Sequence, residues 1–320
     1  MRSEMDVPPF EAPGESMGDA AHNGSPDAAL EAILRLERIA RRQVIETEEG
    51  FATWREWGSG PALVLLHGGA GSWKHFFRQI EFLARDYHVI AADIPGFGDS
   101  SESPSEAAPD QMARILAAGI DEIVGAGEFC LVGFSFGSVI GAYLARLMSA
   151  RIAGFVLVGG VGLEVPNQEV SLSRWRHLQE AAAQRAVHRA NLAALMIADP
   201  ARIDDVAILI QEANAEQSRH DTRPIVRVKP LTRLLDENDV PLAAIWGECD
   251  HLAAPDFDVR RAWLAERDPD APFILIPDAG HWVQYEAPDA FNRKLIECLS
   301  SVKGRRRENA RPLQGGEHGR

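Results

Sequence analysis

The stretch Gly133-Phe134-Ser135-Phe136-Gly137 constrains this chain more than any other, because of what stands on either side of it. Phe129 to Val132 is a short apolar run of strand type. From Ser138 to Met148, Val139, Ile140, Tyr143, Leu144 and Leu147 recur at helical spacing, so the pentapeptide lies where a buried strand turns into a helix. A G-x-S-x-G turn in that context holds its serine in a strained backbone conformation, and the glycines two before and two after it leave room that a Cβ would fill. The hydroxyl then stands at a helix N-terminus, whose partial positive charge favours a developing anion. Two plainer readings compete. One is an ordinary Gly-rich turn. The other is a membrane helix, since Phe129 to Ala145 carries no charge and Gly133, Gly137 and Gly141 repeat as G-x-x-x-G. That run is short for a span, and Glu128 and Arg146 bound it.

The chain around the pentapeptide alternates apolar strands with amphipathic helices. Ala28 to Arg42 reads as an amphipathic helix with arginines gathering at its end, and Gln43 to Thr47 and Ala52 to Trp57 read as a hairpin around Glu48-Glu49-Gly50. Pro61 to Leu66 is a continuous apolar run of the kind buried on both faces of a sheet. It ends in His67-Gly68-Gly69-Ala70-Gly71, followed by a helix marked by Trp73, Phe76, Phe77, Ile80 and Leu83. This Gly-rich turn lacks the G-K-[ST] and G-x-G-x-x-G patterns of nucleotide sites, and its competing reading is an oxyanion loop. Strand His88 to Ala92, the turn-rich Asp93 to Ser100, and a helix with Met112, Ile115, Leu116, Ile120 and Ile123 lead into the central turn. Beyond strand Phe155 to Val158 the pattern changes. Ser173 to Ile197, Asp204 to Glu216 and Ile225 to Leu235 look helical with no strand between them, as a cap laid over the sheet would. Alternation resumes with strand Leu242 to Trp246, helix Pro255 to Glu266, strand Phe273 to Ile276 and helix Pro288 to Val302. Such alternation predicts an α/β fold, a mostly parallel sheet with helices on both faces.

The domain reading follows: residues 1–27 a disordered tail, 28–42 the amphipathic helix, 43–161 and 239–302 the α/β core, 162–238 the helical cap, and 303–320 a disordered, basic tail. A net charge of −14 argues against nucleic acid as a partner. The N-terminal segment has no apolar h-region, and Cys130, Cys249 and Cys298 have no metal-ligand spacing, so they read as reduced thiols in a cytoplasmic protein.

A serine hydroxyl needs a base to take its proton and an acid to orient that base. Ser135, Asp250 and His281 come in that order, each just after a predicted strand and therefore on one edge of the sheet. His251 competes as base, although neighbouring side chains in an extended segment diverge, and Glu248 competes as acid. His67 and Asp93 read as structural, and His22, His75, His177, His188, His220 and His318 have no constellation around them. Taken together, His67-Gly68-Gly69, Asp93 to Ser100, the serine turn, Trp246-Gly247-x-x-Asp250 and Gly280-His281-Trp282 resemble the α/β-hydrolase superfamily over residues 43–302. That resemblance implies an eight-stranded α/β-hydrolase fold, Ser135 as nucleophile, His281 as base and then acid, Asp250 as its orienting partner, and the backbone N–H groups of Gly69 and Phe136 as the oxyanion hole.

Serine rather than a carboxylate at the turn makes acyl transfer to water the default, with a small hydrophobic ester as the first substrate. The run Gly280-His281-Trp282-Val283-Gln284-Tyr285-Glu286 also resembles hydrolases of aromatic-degradation pathways that cleave a carbon–carbon bond in a dienoate. Phe134 stands where that group usually has asparagine, and Arg174, Arg176, Arg219 and Arg223 are candidates, without a motif, for holding a substrate carboxylate. Phe134, Trp282, Leu195 and Met196 are the candidate pocket residues. This chemistry calls for a small-molecule substrate and for neither metal nor organic cofactor. A homo-oligomer and a non-catalytic binding protein of the same fold stay open.

Overall fold

The computed structural model describes residues 25–102, 109–165 and 168–309. Its frame is an eight-stranded sheet: β1 (Arg41–Thr47), β2 (Gly50–Trp57), β3 (Ala62–Leu66), β4 (His88–Asp93), β5 (Phe129–Phe134), β6 (Ile152–Val158), β7 (Leu242–Gly247) and β8 (Phe273–Ile276), in the order β1-β2-β4-β3-β5-β6-β7-β8. The opening hairpin β1–β2 is antiparallel and joins β4 antiparallel, while β3 to β8 run parallel. Parallel strands need crossovers, which the helices between β3 and β8 supply; the helices are α1 (Pro26–Ile39), α2 (Ile80–Leu83), α3 (Pro109–Val124), α4 (Phe136–Met148), α5 (Ala181–Asn191), α6 (Asp205–Glu216), α7 (Arg223–Arg227), α8 (Pro230–Asp236), α9 (Phe257–Arg267), α10 (Val283–Glu286) and α11 (Pro288–Asn309).

Alternation along each strand sorts the core into two layers. In β5, Cys130, Val132 and Phe134 face the layer that holds Leu295 and Leu299 of α11, whereas Phe129 and Leu131 face the layer of Ile140 and Leu144 of α4. Strands β3 to β5 are therefore buried on both faces, which is why they read as unbroken apolar runs. Among the described residues, no helix is long and apolar enough to cross a membrane, and the G-x-x-x-G run is divided between β5, which holds Gly133, and α4, which holds Gly137 and Gly141. The three cysteines are free thiols, and burial pushes Cys130 up to about 11 and Cys298 up to about 12.

Five boundaries differ from the sequence expectation. Helix α1 stops at Ile39, and Arg41 and Arg42 lie in β1, where they pair with Glu56 and Asp99. The stretch after Gly71 forms a 3₁₀ turn (Trp73–Phe76) and the short α2 instead of one helix. The helix expected from Ser173 begins only at Ala181, because Asn191 folds the preceding segment back. Its Oδ1 accepts from Ser173 N and its Nδ2 donates to Ser173 O, at 2.8 and 2.9 Å. Ile225 to Leu235 is split into α7 and α8 at Lys229 (φ 48°), since Pro230 disfavours a right-handed helical residue before it. Finally α11 continues to Asn309 in place of a disordered end after Val302. Arg305 donates to Leu242 O and Arg306 to Ala150 O, at 2.7 and 2.8 Å, so these cations hold carbonyls at the start of β7 and in the turn before β6. The tails read from residues 1–24 and 310–320 lie outside the described residues.

Helices α5 to α8 and their loops occupy the insertion between β6 and β7. Helix α1 packs against α6, so the N-terminal helix lies between the core and this insertion. Glu37 of α1 bonds the buried Arg55 through its Nε at 2.8 Å, and Leu36 O accepts from Trp57 Nε1 at 3.0 Å.

Candidate active site

Strand β5 delivers its last residues at the parallel edge, and the chain there turns straight into α4. Ser135 sits at φ 51° and ψ −115°, a region that a residue with a Cβ enters only under compulsion. The compulsion is visible. Ser135 N donates to Val158 O at 2.8 Å and Ser138 N to Ser135 O at 2.9 Å, fixing the turn from both sides. A Cβ on Gly137 would stand 2.2 Å from Leu66 O, and one on Gly133 2.6 Å from Gly137 O, so the turn closes only because both positions are glycine. The result is a half-buried serine at the N-terminus of α4.

The loop after β3 lies alongside. A Cβ on Gly68 would come within 3.2 Å of Ser135 Cβ, and Ala70 adopts φ 44°. His67 holds this loop. Its Nε2 accepts from Ile94 N at 2.9 Å and its Nδ1 donates to Gly68 O at 2.7 Å. Burial lowers its pKa and keeps the ring neutral. Asp93 likewise holds backbone, accepting from Trp73 N at 2.9 Å and Asp99 N at 3.0 Å while pairing with Arg55 at 3.0 Å.

After β7 and β8 the chain supplies the other two groups. His281 Nδ1 lies 2.8 Å from Asp250 Oδ2, with both side chains buried. Asp250 is fixed in turn by Leu252 N, which donates to its Oδ1 at 2.9 Å. Glu248 is exposed, and His251 is exposed with its Nδ1 2.7 Å from Ala194 O, so neither shares the pair. A buried carboxylate on Nδ1 leaves Nε2 as the basic nitrogen. The ring of Phe134, the residue before the serine, lies 5.1 Å from the His281 ring, which ties the histidine to the serine turn.

Sequence reasoning missed His75. It is buried between Phe134 and Trp282, both at 5.2 Å in edge-on contact, and its Nδ1 accepts from Gly68 N at 3.2 Å. Burial, reinforced by His67, His281 and Lys74, holds its pKa well below the ordinary histidine value, so it is a neutral ring. Its only signal in the sequence is its place in the first turn after the glycine loop. Trp282 donates from Nε1 to His75 O at 2.8 Å and stacks on Tyr285 at 4.2 Å. In the insertion between β6 and β7, Met196 is buried and Leu195 half-buried in a π-helical turn (Leu192–Met196), and Met196 O accepts from Trp282 N at 2.7 Å. Thr222 stands over the glycine loop, its Oγ1 only 3.1 Å from where a Cβ on Gly69 would be.

The four candidate arginines are engaged elsewhere or turned outward. Arg219 donates to Gly98 O and Ser100 O, at 3.1 and 2.6 Å. Arg223 pairs with Asp221 at 2.8 Å, Arg176 lies over Trp175, and Arg174 is exposed. Among the described residues there is no cluster of His, Cys, Asp and Glu suited to a metal ion.

The family model of the alpha/beta hydrolase fold matches residues 61–288, from the strand before the glycine loop to the residues past His281. The chain belongs to the α/β-hydrolase family. Within that family it is 29% identical to a 2-hydroxy-6-oxononadienedioate/2-hydroxy-6-oxononatrienedioate hydrolase of Burkholderia vietnamiensis, over 83% of this chain and 98% of that one. It is 25% identical to a 2-hydroxy-6-oxo-6-phenylhexa-2,4-dienoate hydrolase of Burkholderia cepacia, with the same coverage. A putative aryl esterase from Burkholderia cenocepacia shares the hydrolase fold at a TM-score of 0.67 and 24% identity, covering 82% of this chain and 100% of that one. The chain is thus an α/β hydrolase by family and by fold.

Proposed function

We propose that this α/β hydrolase cleaves a carbon–carbon bond next to a ketone in a 2-hydroxy-6-oxo-dienoate, with Ser135 as nucleophile. The observation that carries the chemistry is the buried His281–Asp250 pair at 2.8 Å beside a serine held at φ 51°. The dienoate class rests on the named relatives, which are similar along nearly their whole length. It displaces the simple ester that serine at the turn suggests by default.

In this reading His281 Nε2 accepts the Ser135 proton as Oγ attacks the ketone carbonyl, and Asp250 stabilises the imidazolium that forms. The oxyanion is received by the N–H groups of Phe136, at the start of α4, and Gly69. Collapse breaks the carbon–carbon bond; its electron pair stays on the dienoate carbon, which takes the proton held on His281, and a water that His281 then deprotonates releases the acid from Ser135. The cap over the glycine loop excludes bulk water during these steps.

A second reading, hydrolysis of a small hydrophobic ester, is favoured by Phe134, which gives the serine an apolar neighbour. The test compares kcat/KM for p-nitrophenyl butyrate with that for a 2-hydroxy-6-oxo-dienoate. A dienoate preference of several orders supports the proposal, and an ester preference overturns it in favour of the second reading. Fluorophosphonate labelling tests the shared step, since a folded protein without a Ser135 adduct would exclude both.

A further inference from the structure

Glu286 is the acidic residue that the serine chemistry does not use, yet it is almost wholly buried beside the catalytic histidine loop. Its carboxylate takes three backbone donors. Oε2 accepts from Gly280 N at 2.7 Å and from Ala198 N at 2.9 Å, and Oε1 accepts from Asp199 N at 2.8 Å. Gly280 immediately precedes His281, whereas Ala198 and Asp199 follow the π-helical turn of the cap. The two segments also meet directly, through Trp282 N and Met196 O at 2.7 Å. A Cβ on Gly280 would be 2.8 Å from Ala198 N, so the cap segment 197–199 and the histidine loop lie against one another with no room for a side chain.

We infer that Glu286 is a positioning residue that couples the cap to His281, a role resting on the hydrolase reading above. A carboxylate only accepts, and three amide donors converging on it from two segments define where each segment stops. If the cap segment 197–199 lifts, Gly280 loses its partner's geometry, and the backbone carrying His281 is no longer pinned. The cap is held to the core at a second point that does not involve the histidine loop's amides. There Asp204, the N-cap of α6, pairs with Arg78 at 2.6 Å and accepts from Tyr285 Oη at 2.5 Å. That second tether provides the control.

The experiment measures the rate at which a fluorophosphonate labels Ser135 in the full chain, with kcat and KM on p-nitrophenyl butyrate, for wild type, Glu286→Gln and Asp204→Asn. Glutamine places an NH₂ among donors, so Glu286→Gln is expected to slow labelling and lower kcat together, about 10- to 100-fold, as displacement of a catalytic group by up to an ångström does. Asp204→Asn keeps an N-cap side chain and is expected to label at the wild-type rate while KM rises. Labelling of Glu286→Gln at the wild-type rate overturns the inference, and so does an equal loss in both variants, which would mean that any cap tether serves. A wild-type protein that does not label overturns the hydrolase reading instead. Should Glu286→Gln not fold, hydrogen exchange on the wild type decides. Peptides spanning 197–199 and 279–282 are expected to open at one common rate, and fast exchange in the first with slow exchange in the second overturns the coupling.

Discussion

Replacing Gly137 with alanine tests the site geometry most directly. The new Cβ would lie 2.2 Å from Leu66 O and 2.6 Å from His67 O, both well inside the 3.4 Å at which ordinary contact begins. Both obstacles are backbone, so no flexible side chain can yield. Leu66 is held in register between Ala92 of β4 and Gly133 of β5, which leaves two ways out. Either the glycine loop that begins at His67 moves away from the serine, or the first turn of α4 moves away from the loop and carries Ser135 and Phe136 with it. Each separates Ser135 from the glycine loop by about 1 Å, a displacement that, under the proposed mechanism, costs on the order of 100-fold in kcat. Overpacking costs about 1 to 3 kcal/mol of stability, so the protein is expected to stay folded at 25 °C. The assay is kcat on p-nitrophenyl butyrate beside urea unfolding, with Gly304→Ala as control. Gly304 lies within α11 with nothing near a built Cβ, and alanine there should stabilise by about 1 kcal/mol and leave kcat alone. A Gly137→Ala enzyme with kcat within twofold of wild type would refute the claim that this glycine sets the distance between serine and loop.

Other expectations follow from the buried charges. Asp250→Asn should leave the fold intact and lower kcat by roughly 10³ to 10⁴, because the histidine loses the partner that fixes its tautomer; full activity would reassign the acid. Arg55→Met should destabilise by about 3 to 5 kcal/mol in urea unfolding, since Arg55 is 2% exposed and its loss leaves Asp93 buried without its cation; a loss below 1 kcal/mol would mean the site repacks. Stability should fall on acidification below the ordinary histidine value of about 6.5. His67 and His75 are held neutral in the folded state, by burial first, so the unfolded chain binds more protons there and unfolding gains up to about 1.4 kcal/mol per pH unit for each proton. Above that pH both states are neutral at these rings and the contribution is flat. His75→Asn should reduce the slope in a pH series of urea midpoints, and an unchanged slope would remove His75 from the account.

Much of this was legible because it is local. The serine turn, the glycine loop and the paired Asp250 and His281 each follow a strand whose apolar run announces it, and strand ends in a parallel sheet fall on one edge. What was not legible depends on contacts distant in sequence. Asn191 turning the chain back on Ser173 looks, in the sequence, like one more polar residue of a long helix. Arg305 and Arg306 look like a solvated tail until the carbonyls of Leu242 and Ala150 arrive beneath them. His75 carries no motif of its own and is defined by the Gly68 amide; Glu286 closes the run that begins at Gly280, but the amides of Ala198 and Asp199 that it holds are distant in sequence. Lys229 is the opposite case: Pro230 alone is signal enough for the break between α7 and α8, although Ile225 to Leu235 reads in the sequence as one helix.

Phe134 decides how the remaining question about substrate can be put. Its ring is fully buried against His75 and His281, so the position before the nucleophile offers the substrate no hydrogen bond. An ester asks for none there, because the oxyanion hole and the base complete its chemistry. A dienoate brings an enol and a carboxylate that need partners, and a polar side chain at this point would supply one worth about 0.5 to 1.5 kcal/mol, or roughly 2- to 13-fold. Phe134→Asn is therefore expected to raise the ratio of kcat/KM for the dienoate to that for p-nitrophenyl butyrate by about that factor. Absolute rates will fall, since a buried aromatic ring is lost. The ratio is immune to that loss, because both substrates are measured on the same folded fraction of the same preparation. A ratio that stays constant, or moves toward the ester, would show that the polar end of the dienoate never approaches position 134, and its recognition would then have to come from the cap.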